Sequence, residues 1–494
     1  MEARGAVDAG VLAGPLVGHR RAMTLTSLWQ DRHPRTRPAT TDADLGGHYD
    51  VAVVGAGLTG LTTALLLARA GRSVVVLEAG TVGFGTTGRS TAKISCLQGS
   101  RLSTISHKHA SSVVEHYVEA QREGLAWLGR FCVEHEVPIQ RRDAVSYAHG
   151  EQGEQTVRRE LEVARKAGLP AVWDEELPLP FATRGGVRLP DQLQVDPLEL
   201  LDALTLEAAA HGVRLVEHTR VTKVRGSDPV RLTTAAGVVQ ADKVVVATNM
   251  PMVDRGGFFA RMKPQRSYGL AYRTPTQAVD AMYLSVDQPS RSLRDTPDGD
   301  GSLLLVGGNG HKVGARVDTS QRLEELRQWT LEHWPEAVET HAWSAQDYEP
   351  HHELPFAGPV LPGRSDVLVA GGYSKWGMTN AVAASLVLSG ELLGGHMPWA
   401  EAFRTWSRHE VTGLGTAALL NGEVGLEMTR GWVEAAATGS VRQDGLSRVC
   451  THLGGIVRWN DAERSWDCPL HGSRFDEGGE VLEGPAVCGL RRSS

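Results

Sequence analysis

The chain has 494 residues, of which 41% are apolar and 22% are charged, so it is long enough for about two or three domains that each bury a core. A formal net charge of −7 gives no electrostatic reason to expect nucleic acid or an anionic membrane as a partner. Five cysteines are too few for a disulfide framework, and no apolar run approaches the ~18–20 residues that cross a bilayer. We therefore expect a cytoplasmic protein without a membrane span.

Residues 1–47 are predicted to form an extended or disordered lead-in, polar and dotted with proline over its second half. The positive charges of the first 22 residues follow an apolar stretch, whereas those of a signal peptide precede it. We therefore expect no export signal, and Met23 is an alternative start of the chain.

Ordered structure is predicted from Tyr49 onwards, where an apolar strand, a glycine-rich turn and a helical run follow one another. The turn reads GAGLTG over residues 55–60, and the next strand ends at Glu78, 18 residues after the last glycine. This β-α-β context is the one that a dinucleotide-binding fingerprint requires. Its first two glycines let a pyrophosphate approach backbone N–H groups, the third lets helix and strand pack closely, and Glu78 accepts from a ribose hydroxyl.

A second glycine-rich and basic loop follows at residues 83–93, with glycines at 83, 85 and 88. Such a loop soon after the acidic residue favours a long flavin dinucleotide. The sequence contains no second G-x-G-x-x-G at a strand–helix junction, which disulfide-reductase-type flavoenzymes need for a nicotinamide. We therefore expect the electrons to come from an organic substrate.

Later segments alternate between helical and strand patterns. Helices are predicted at about 107–136, 154–167, 197–211, from Ser320, and from Gly377 to about Leu393. Short strands are predicted at 213–217, 219–225, 230–235, 243–247 and 367–370. The fold class is therefore α/β: a Rossmann-like nucleotide-binding domain that a mixed α+β substrate domain interrupts.

Residues 24–395 resemble the D-amino-acid-oxidase-like superfamily of FAD-dependent oxidoreductases, in particular its gamma-glutamylputrescine-oxidase-like branch. The segments that carry the resemblance are SLW at 27–29, the fingerprint, TGRSTAK at 87–93, QVDP at 194–197, VATN at 246–249, WSAQDY at 343–348 and GGYSKWGMTN at 371–380. The chain departs from the family at 351–355, where HHELP replaces a more acidic, glycine-bearing sequence. The positions of a covalent flavin link, including a cysteine at about 360–376, are empty, so the resemblance implies non-covalent FAD.

The resemblance places the FAD-binding parts at about 48–105, 190–250 and 343–395, and the substrate-domain parts at about 106–189 and 251–342. In the family, the loop before the helix at Gly377 closes over the flavin, and that helix directs its positive end towards the isoalloxazine. The residues expected to hold FAD are Gly55, Gly57, Leu58, Thr59, Gly60, Glu78, Ala79, Gly88, Arg89, Ser90, Thr91, Val221, Thr248, Gly372, Trp376, Gly377, Met378 and Thr379.

The family oxidises C–N bonds of amines or amino acids by hydride transfer to the flavin, and the resulting imine hydrolyses. In the predicted strand at 263–273, which by resemblance floors the substrate cavity, period two places Arg266, Tyr268 and Tyr272 on one face. Arg266 is the candidate for binding a carboxylate, with a solvated arginine beside packed tyrosines as the alternative. Lys93 and His311 are further catalytic candidates near the flavin, with ordinary surface positions as the alternative.

Cysteine and histidine pairs near the end of the sequence follow the Rieske pattern. Cys450-x-His452 and Cys468-x-x-His471 are separated by fifteen residues. In a Rieske 2Fe–2S cluster two thiolates hold one iron and two imidazoles hold the other. Zinc is the alternative metal, but zinc fingers place like ligands together, whereas here each pair combines both types. By resemblance, Ser473 donates a hydrogen bond to a cluster sulfide.

Residues 396–435 are predicted to be a connecting helical segment and residues 436–494 a small β-rich Rieske-type module. Gly455 and Leu470 stand where high-potential Rieske proteins have a disulfide, so we expect a lower potential. The sheet before Cys450 is predicted to be shortened, so the module depends on its metal for stability. The chain lacks a His-x4-His pair, which disfavours the mononuclear iron site of a Rieske oxygenase.

Two functions remain open from the sequence. In the first, electrons from an amine or amino acid pass from FAD to the cluster and on to an external acceptor, which is a protein, a quinone or oxygen. In the second, the protein is an oxygen-using flavin amine oxidase whose cysteine–histidine module is a zinc-bound or degenerate interaction module. A flavoprotein that relays electrons without a substrate of its own is a weaker third hypothesis.

Overall fold

The computed structural model describes residues 25–34, 45–443 and 445–492. Most of the predicted lead-in lies outside these residues, but Leu28–Arg32 form a short helix where an extended segment was expected. Ser27 caps this helix by accepting a hydrogen bond from the backbone N–H of Gln30. Trp29 is fully buried, and its Nε1 donates to the carbonyl of Ser90 at 2.7 Å. Anchoring of this tryptophan explains why the segment is ordered.

The flavin sheet contains the predicted Rossmann-like unit and is parallel in its centre. Its main path runs, in spatial order, through Phe356–Pro359, Val367–Gly371, Gly237–Val246, His48–Val54, Val74–Leu77 and Arg214–Val216. The hairpin strands Lys223–Arg225 and Val230–Thr234 extend it beside Gly237–Val246. Residues 51–54 and 74–77 are buried throughout, which explains why these strands appear in the sequence as continuous apolar runs.

The second sheet, here called the substrate sheet, has nine strands. Eight of them run, in spatial order, through Val338–Pro350, Met262–Arg273, Gly301–Lys312, Arg291–Asp298, Met282–Ser285, Ile139–Tyr147, Gly186–Val195 and Lys93–Ile94, and Val172–Asp174 pairs with Gly186–Val195. The expected domain boundaries at 190 and 343 fall inside strands of this sheet. Each of these two strands belongs to the substrate sheet along its full length. The chain therefore passes from the substrate sheet to the flavin sheet a few residues later than predicted.

Helices cover both sheets. They are Leu58–Arg69, Arg101–Lys108, Ser111–Glu134, Glu151–Lys166, Pro197–Ala210, Thr319–His333 and Gly377–Leu393, with short 3₁₀ turns at Thr87–Arg89, Phe258–Ala260 and Pro398–Phe403. The helix at 197 begins as predicted, because the Asp196 carboxylate accepts the N–H of Leu198 at 3.0 Å and Pro197 occupies the first helical position. Among the helices that the structure describes, none combines the length and apolar character needed to span a membrane.

The C-terminal module follows a 29-residue helix, His409–Ala437, within the predicted connecting segment and just beyond it. Its strands are Arg442–Gln443 and Leu446–Ser447, which pair, and Arg458–Asn460, Ser465–Asp467, Arg474–Phe475 and Val481–Glu483, which form an antiparallel sheet. Val424 and Met428 of the long helix pack against the module core. The helix therefore supplies apolar surface that the short module sheet lacks.

Candidate flavin cavity and cluster site

A cavity of about 690 Å³ is lined by residues of the flavin sheet, the substrate sheet and the C-terminal module. Of the eighteen residues expected to hold FAD, fourteen line it, including Glu78, Val221 and Trp376. The four that do not are Gly60, Gly88, Gly372 and Thr379. Most of the residues expected to hold FAD are therefore gathered at one cavity, and the other four lie outside its wall.

Close backbone packing explains the glycines of the fingerprint. Gly55 has φ of +104°, and a Cβ there would lie 2.8 Å from the carbonyl oxygen of Ala247. A Cβ on Gly60 would lie only 1.9 Å from the carbonyl oxygen of Gly55. Gly60 therefore acts by letting helix and strand approach each other, as predicted for the third glycine.

The other residues outside the cavity also act through packing or internal hydrogen bonds. A Cβ on Gly88 would lie 2.2 Å from the carbonyl oxygen of Gly83. Gly372 has φ of +73°, which favours glycine. The Thr379 hydroxyl donates to Oε1 of Gln121, so its side chain is directed away from the cavity. The expectation that these residues contact FAD directly is replaced by a role in shaping the wall.

Glu78 lies at the cavity edge and organises the glycine-rich turn. Its carboxylate accepts backbone N–H groups from Ala56 and Gly80, both at 2.7 Å. Burial raises the pKa of Glu78 above its ordinary value, against the opposing effect of these two hydrogen bonds. The carboxyl group is therefore fixed next to the turn, where a ribose hydroxyl would lie.

Lys93, one of the catalytic candidates, lines the cavity. Its Nζ donates to the carbonyl of Tyr283 at 2.8 Å and to the hydroxyl of Ser292 at 2.6 Å. Burial lowers the pKa of Lys93 to about 7. The amine is consequently able to gain or lose a proton near neutral pH.

Lys375 is a cavity residue that the sequence did not single out. It has φ of +72° and follows Ser374, whose φ is +51°. The buried carboxylate of Asp347 accepts the backbone N–H of Lys375 and holds this conformation. Left-handed backbone at two successive non-glycine residues is strained and is commonly retained at functional sites. In the sequence, Lys375 stands within the 371–380 segment that carries the family resemblance, but no pattern there marks the lysine itself as a substrate-binding residue.

The residues of the cavity fit FAD. The buried oxygens Gln346 Oε1 and Asn249 Oδ1 accept no hydrogen bond from the described residues, so they offer acceptor positions for a ligand. The fingerprint turn presents backbone N–H groups at the start of a helix, where a pyrophosphate binds. Gly377, the first residue of another helix, also lines the cavity.

The structure corrects the expectation for Arg266. Its guanidinium is buried and forms ion pairs with Glu463 and Glu483 of the C-terminal module, the latter at 2.8 Å. It also donates to the hydroxyl of Ser344 at 2.7 Å. Burial raises the pKa of both carboxyls, but Arg266 and Arg474 outweigh that effect and hold each pKa below its ordinary value. Arg266 therefore joins two domains and is not available to a substrate carboxylate.

Arg266, Tyr268 and Tyr272 alternate along their strand, as predicted, but of the three only Tyr268 lines the flavin cavity. Gln265 and Ser267, on the opposite face of the strand, also line the cavity. Tyr272 does not line the cavity and packs with the core beneath the substrate sheet. Two of the three predicted residues, Arg266 and Tyr272, therefore lie outside the cavity wall.

Tyr268 touches the cavity wall, but its ring stacks on His311 with a centroid separation of 5.6 Å. His311 itself does not line the cavity. Burial lowers the pKa of His311 to about 4, so the ring is neutral at physiological pH. The expected approach of His311 to the flavin is therefore wrong, and the pair packs between the substrate sheet and the module.

The four predicted cluster ligands come together on two adjoining loops. The N–H of Cys450 donates to the carbonyl of Gly455 at 2.8 Å and closes the first loop. The thiol of Cys468 hydrogen bonds to that of Cys450 and lowers its pKa to about 7. The rings of His452 and His471 are 5.2 Å apart and nearly perpendicular. Two thiols and two imidazoles are thus gathered in one place.

The surroundings of these loops fit a Rieske cluster. The hydroxyl of Ser473 hydrogen bonds to the Cys450 sulfur and accepts the N–H of Ala486 at 3.1 Å. A Cβ on Gly455 would lie 2.5 Å from Leu470, so apolar contact replaces the disulfide of high-potential relatives. The donor set of two thiolates and two imidazoles matches the ligands of a 2Fe–2S Rieske centre.

A second histidine group contacts the long helix. His351, His352 and Glu410 place one nitrogen or oxygen each within 4.8 Å of one another. The N–H of Leu354 donates to His352 Nδ1 at 3.1 Å, so the ring proton of a neutral His352 is on Nε2, which faces Glu410. Arg261 also pairs with Glu410. The carboxylate of Glu410 therefore accepts from Arg261 and faces the N–H of His352. Neither nitrogen of His352 has a free lone pair with which to bind a metal.

The module docks with its cluster loops against the flavoprotein part. Gln346 lines the cavity, and its Nε2 donates to the carbonyl of Gly472 at 2.8 Å. Gly472 is the residue after His471. Residues 481–484 of the module also line the cavity. One side chain thus touches both the flavin cavity and the cluster loop.

Comparison with known proteins agrees with this division. Residues 50–389 match the family model for FAD dependent oxidoreductases, and residues 438–492 match the Rieske [2Fe-2S] domain. The chain is 32% identical over 474 residues to YhfW of Bacillus subtilis (strain 168), which is named as a Rieske 2Fe-2S iron-sulfur protein; the match covers 90% of this chain and 93% of YhfW.

Solved structures share the flavoprotein fold. Glycine oxidase from Geobacillus kaustophilus has a TM-score of 0.63 and 20% identity, covering 74% of this chain and 100% of the oxidase. L-proline dehydrogenase from P. horikoshii has a TM-score of 0.61 and 19% identity, covering 72% and 96%. At these identities the likeness establishes the fold alone.

Proposed function

Because this chain belongs to the FAD-dependent oxidoreductase family and carries a Rieske [2Fe-2S] domain, we propose that it oxidises a C–N bond of an amine or amino acid and delivers the electrons through its cluster to an external acceptor. The observation that carries this proposal is the position of Gln346, which lines the flavin cavity and bonds to the cluster loop at Gly472. The two redox sites are thus neighbours within one folded chain.

FAD would lie with its pyrophosphate at the fingerprint turn and its ribose at Glu78. The positive end of the helix Gly377–Leu393 lies at the same cavity and would stabilise negative charge on the reduced flavin by about 0.3–1 kcal/mol, or more where buried. When bound, FAD supplies the acceptor for the hydride of the substrate. The fourteen expected residues that line the cavity are the proposed contacts.

Two lysines are the proposed substrate residues. Lys93 would accept or hold a proton near the reacting amine, since burial brings its pKa to about 7. Lys375 would bind a carboxylate in place of Arg266, because it lines the cavity and its Nζ has no ion pair among the described residues. Fold neighbours named glycine oxidase and L-proline dehydrogenase support an amino-acid or amine substrate.

Oxidation of an amine to an imine releases two electrons and two protons, and water then converts the imine to a carbonyl compound and ammonia or a smaller amine. A Rieske cluster carries one electron at a time. Each substrate molecule therefore needs two successive transfers to the acceptor, which we propose is a one-electron carrier protein, with a quinone or oxygen as the other classes. Membership of the gamma-glutamylputrescine-oxidase-like branch and a cytoplasmic location remain predictions.

A panel of amines and amino acids under argon tests this proposal. We expect one class of substrate to bleach the flavin absorbance and then to produce the rhombic electron paramagnetic resonance signal of a reduced Rieske cluster. Bleaching without that signal, together with zinc or no metal by elemental analysis, would instead support an oxidase with an interaction module. Failure of every substrate to bleach the flavin would favour an electron-relay flavoprotein.

A further inference from the structure

His452 contacts a carboxylate of the flavoprotein part. Its Nε2 lies 2.8 Å from Oδ1 of Asp254, which follows the strand Gly237–Val246. The side chain of His452 is 6% exposed, whereas that of Asp254 is 63% exposed. The carboxylate therefore reaches the cluster site from the solvent side and is not part of the buried docking contacts.

This contact determines which nitrogen of His452 is available to iron. An ionised carboxylate only accepts hydrogen bonds, so in a neutral ring Nε2 carries the hydrogen that it donates to Asp254, and Nδ1 keeps its lone pair. Carboxylate partners of ligating imidazoles fix ring orientation and raise the basicity of the ligand. Asp254 is thus arranged as the outer partner of a cluster ligand.

The second histidine has a different environment. The His471 ring packs against Phe259 with a centroid separation of 5.1 Å, and Phe259 also contacts His452 at 5.6 Å. Within the described residues, no carboxylate hydrogen bonds to His471. The two imidazole ligands therefore differ, and only His452 is linked to a negative charge.

We propose that Asp254 is a positioning residue of the electron-transfer reaction, which orients His452 and shifts the cluster towards its oxidised state. The proposal deepens the proposed function and rests on it. A fixed negative charge beside the ligand disfavours addition of an electron, and the hydrogen bond holds the ring against the flavoprotein surface. By lowering the potential of the cluster, Asp254 would favour transfer of the electron from the cluster to the external acceptor.

Two substitutions separate the charge from the hydrogen bond. Asp254→Asn keeps an acceptor oxygen for Nε2–H but removes the charge, whereas Asp254→Ala removes both. The matched control is Asp242→Asn, because Asp242 also pairs with a histidine, His48 at 2.6 Å, on the exposed strand region outside the module. All three variants are made in the full chain, loaded with FAD and cluster.

The readouts are the midpoint potential of the cluster, from an anaerobic redox titration followed by electron paramagnetic resonance, and the nitrogen couplings of its histidine ligands. We expect Asp254→Asn to favour the reduced cluster by about tenfold, equivalent to 59 mV for one electron. Asp254→Ala should shift the potential in the same direction and also change the nitrogen couplings. The control should leave both readouts unchanged.

An unchanged potential in both Asp254 variants, with a normal wild-type cluster signal, would overturn the role of Asp254 and leave the proposed function intact. Absence of any Rieske signal in the wild-type protein would overturn both proposals together. A shift of equal size in Asp242→Asn would also overturn the specific role, because the effect would then reflect net charge alone.

Discussion

Arg266 and Glu483 form a buried ion pair at 2.8 Å across the boundary between the substrate sheet and the C-terminal module. Arg474 of the module binds the same carboxylate at 2.9 Å, so Glu483 lies between two guanidinium groups. Residues next to Glu483 line the flavin cavity. The ion pair therefore links the integrity of the cavity to the docking of the module.

Replacement of Arg266 by Met should destabilise the protein strongly. Without Arg266, Glu463 and Glu483 would have to share Arg474 as their remaining buried cation, and a buried charge left uncompensated typically costs about 3–5 kcal/mol. Denaturant unfolding followed by FAD fluorescence would measure the loss. Arg316→Met is the control, since its pair with Glu434 is solvent-exposed and should contribute little. Equal stabilities of the two variants would contradict a buried docking contact.

Gly60→Ala should prevent normal FAD binding. The added methyl group would lie 1.9 Å from the carbonyl oxygen of Gly55, so the helix and the turn must separate. Overpacking of this kind costs about 1–3 kcal/mol or more. Gly85→Ala is the matched control, because Gly85 lines the same cavity but has open space around its Cβ position. The ratio of flavin to protein absorbance in purified material would distinguish the two variants.

Lys93→Met should slow flavin reduction by substrate by about 10²-fold or more if the amine acts in proton transfer. In the wild-type protein the rate should rise with pH through about 7, where Lys93 loses its proton, and this rise should disappear in the variant. Stopped-flow absorbance under argon gives the rates. Lys312→Met, which removes an ion pair with Glu423 outside the cavity, should retain the wild-type profile.

Lys93 should also make stability depend on pH. Burial depresses its pKa from about 10.5 to about 7, so between these values the unfolded chain binds a proton that the folded protein has released. The free energy of unfolding therefore rises with pH across this window, relative to Lys93→Met. Denaturant titrations of both proteins at pH 7 and pH 9 would reveal the difference. A constant difference would show that Lys93 titrates normally in the folded state.

Lys375→Met should weaken the use of substrates that carry a carboxylate. A hydrogen bond to a charged group contributes about 1.5–3 kcal/mol, so kcat/KM for an amino acid should fall by roughly 10–100-fold. The kcat/KM for the corresponding amine without a carboxylate should change little. Equal losses for both substrates would indicate that Lys375 positions the flavin or the loop and does not recognise the carboxylate.

The sequence located the two cofactor sites because their signals are local. The fingerprint at 55–60 needs glycine where the backbone leaves no room for a Cβ, and the cluster ligands keep a spacing that the metal imposes. Arg266 was misassigned for the opposite reason. Periodicity shows which residues share a face, but its partners Glu463 and Glu483 lie about 200 residues further along the chain.

Lys375 shows a second limit of the sequence. Its importance comes from the left-handed backbone at residues 374 and 375 and from the distant carboxylate of Asp347, and neither is encoded by a local pattern. The predicted domain boundaries at 190 and 343 were a few residues too early for a related reason. The sequence pattern of a strand does not show which of the two sheets the strand pairs in.

The module residues 481–484, 486 and 487 complete the wall of the flavin cavity, and they come later in the chain than every other residue of that wall. Before the module folds, the side of the dinucleotide pocket that these residues form is therefore open. The pocket therefore takes its complete shape only when the C-terminal module is folded onto the flavoprotein part.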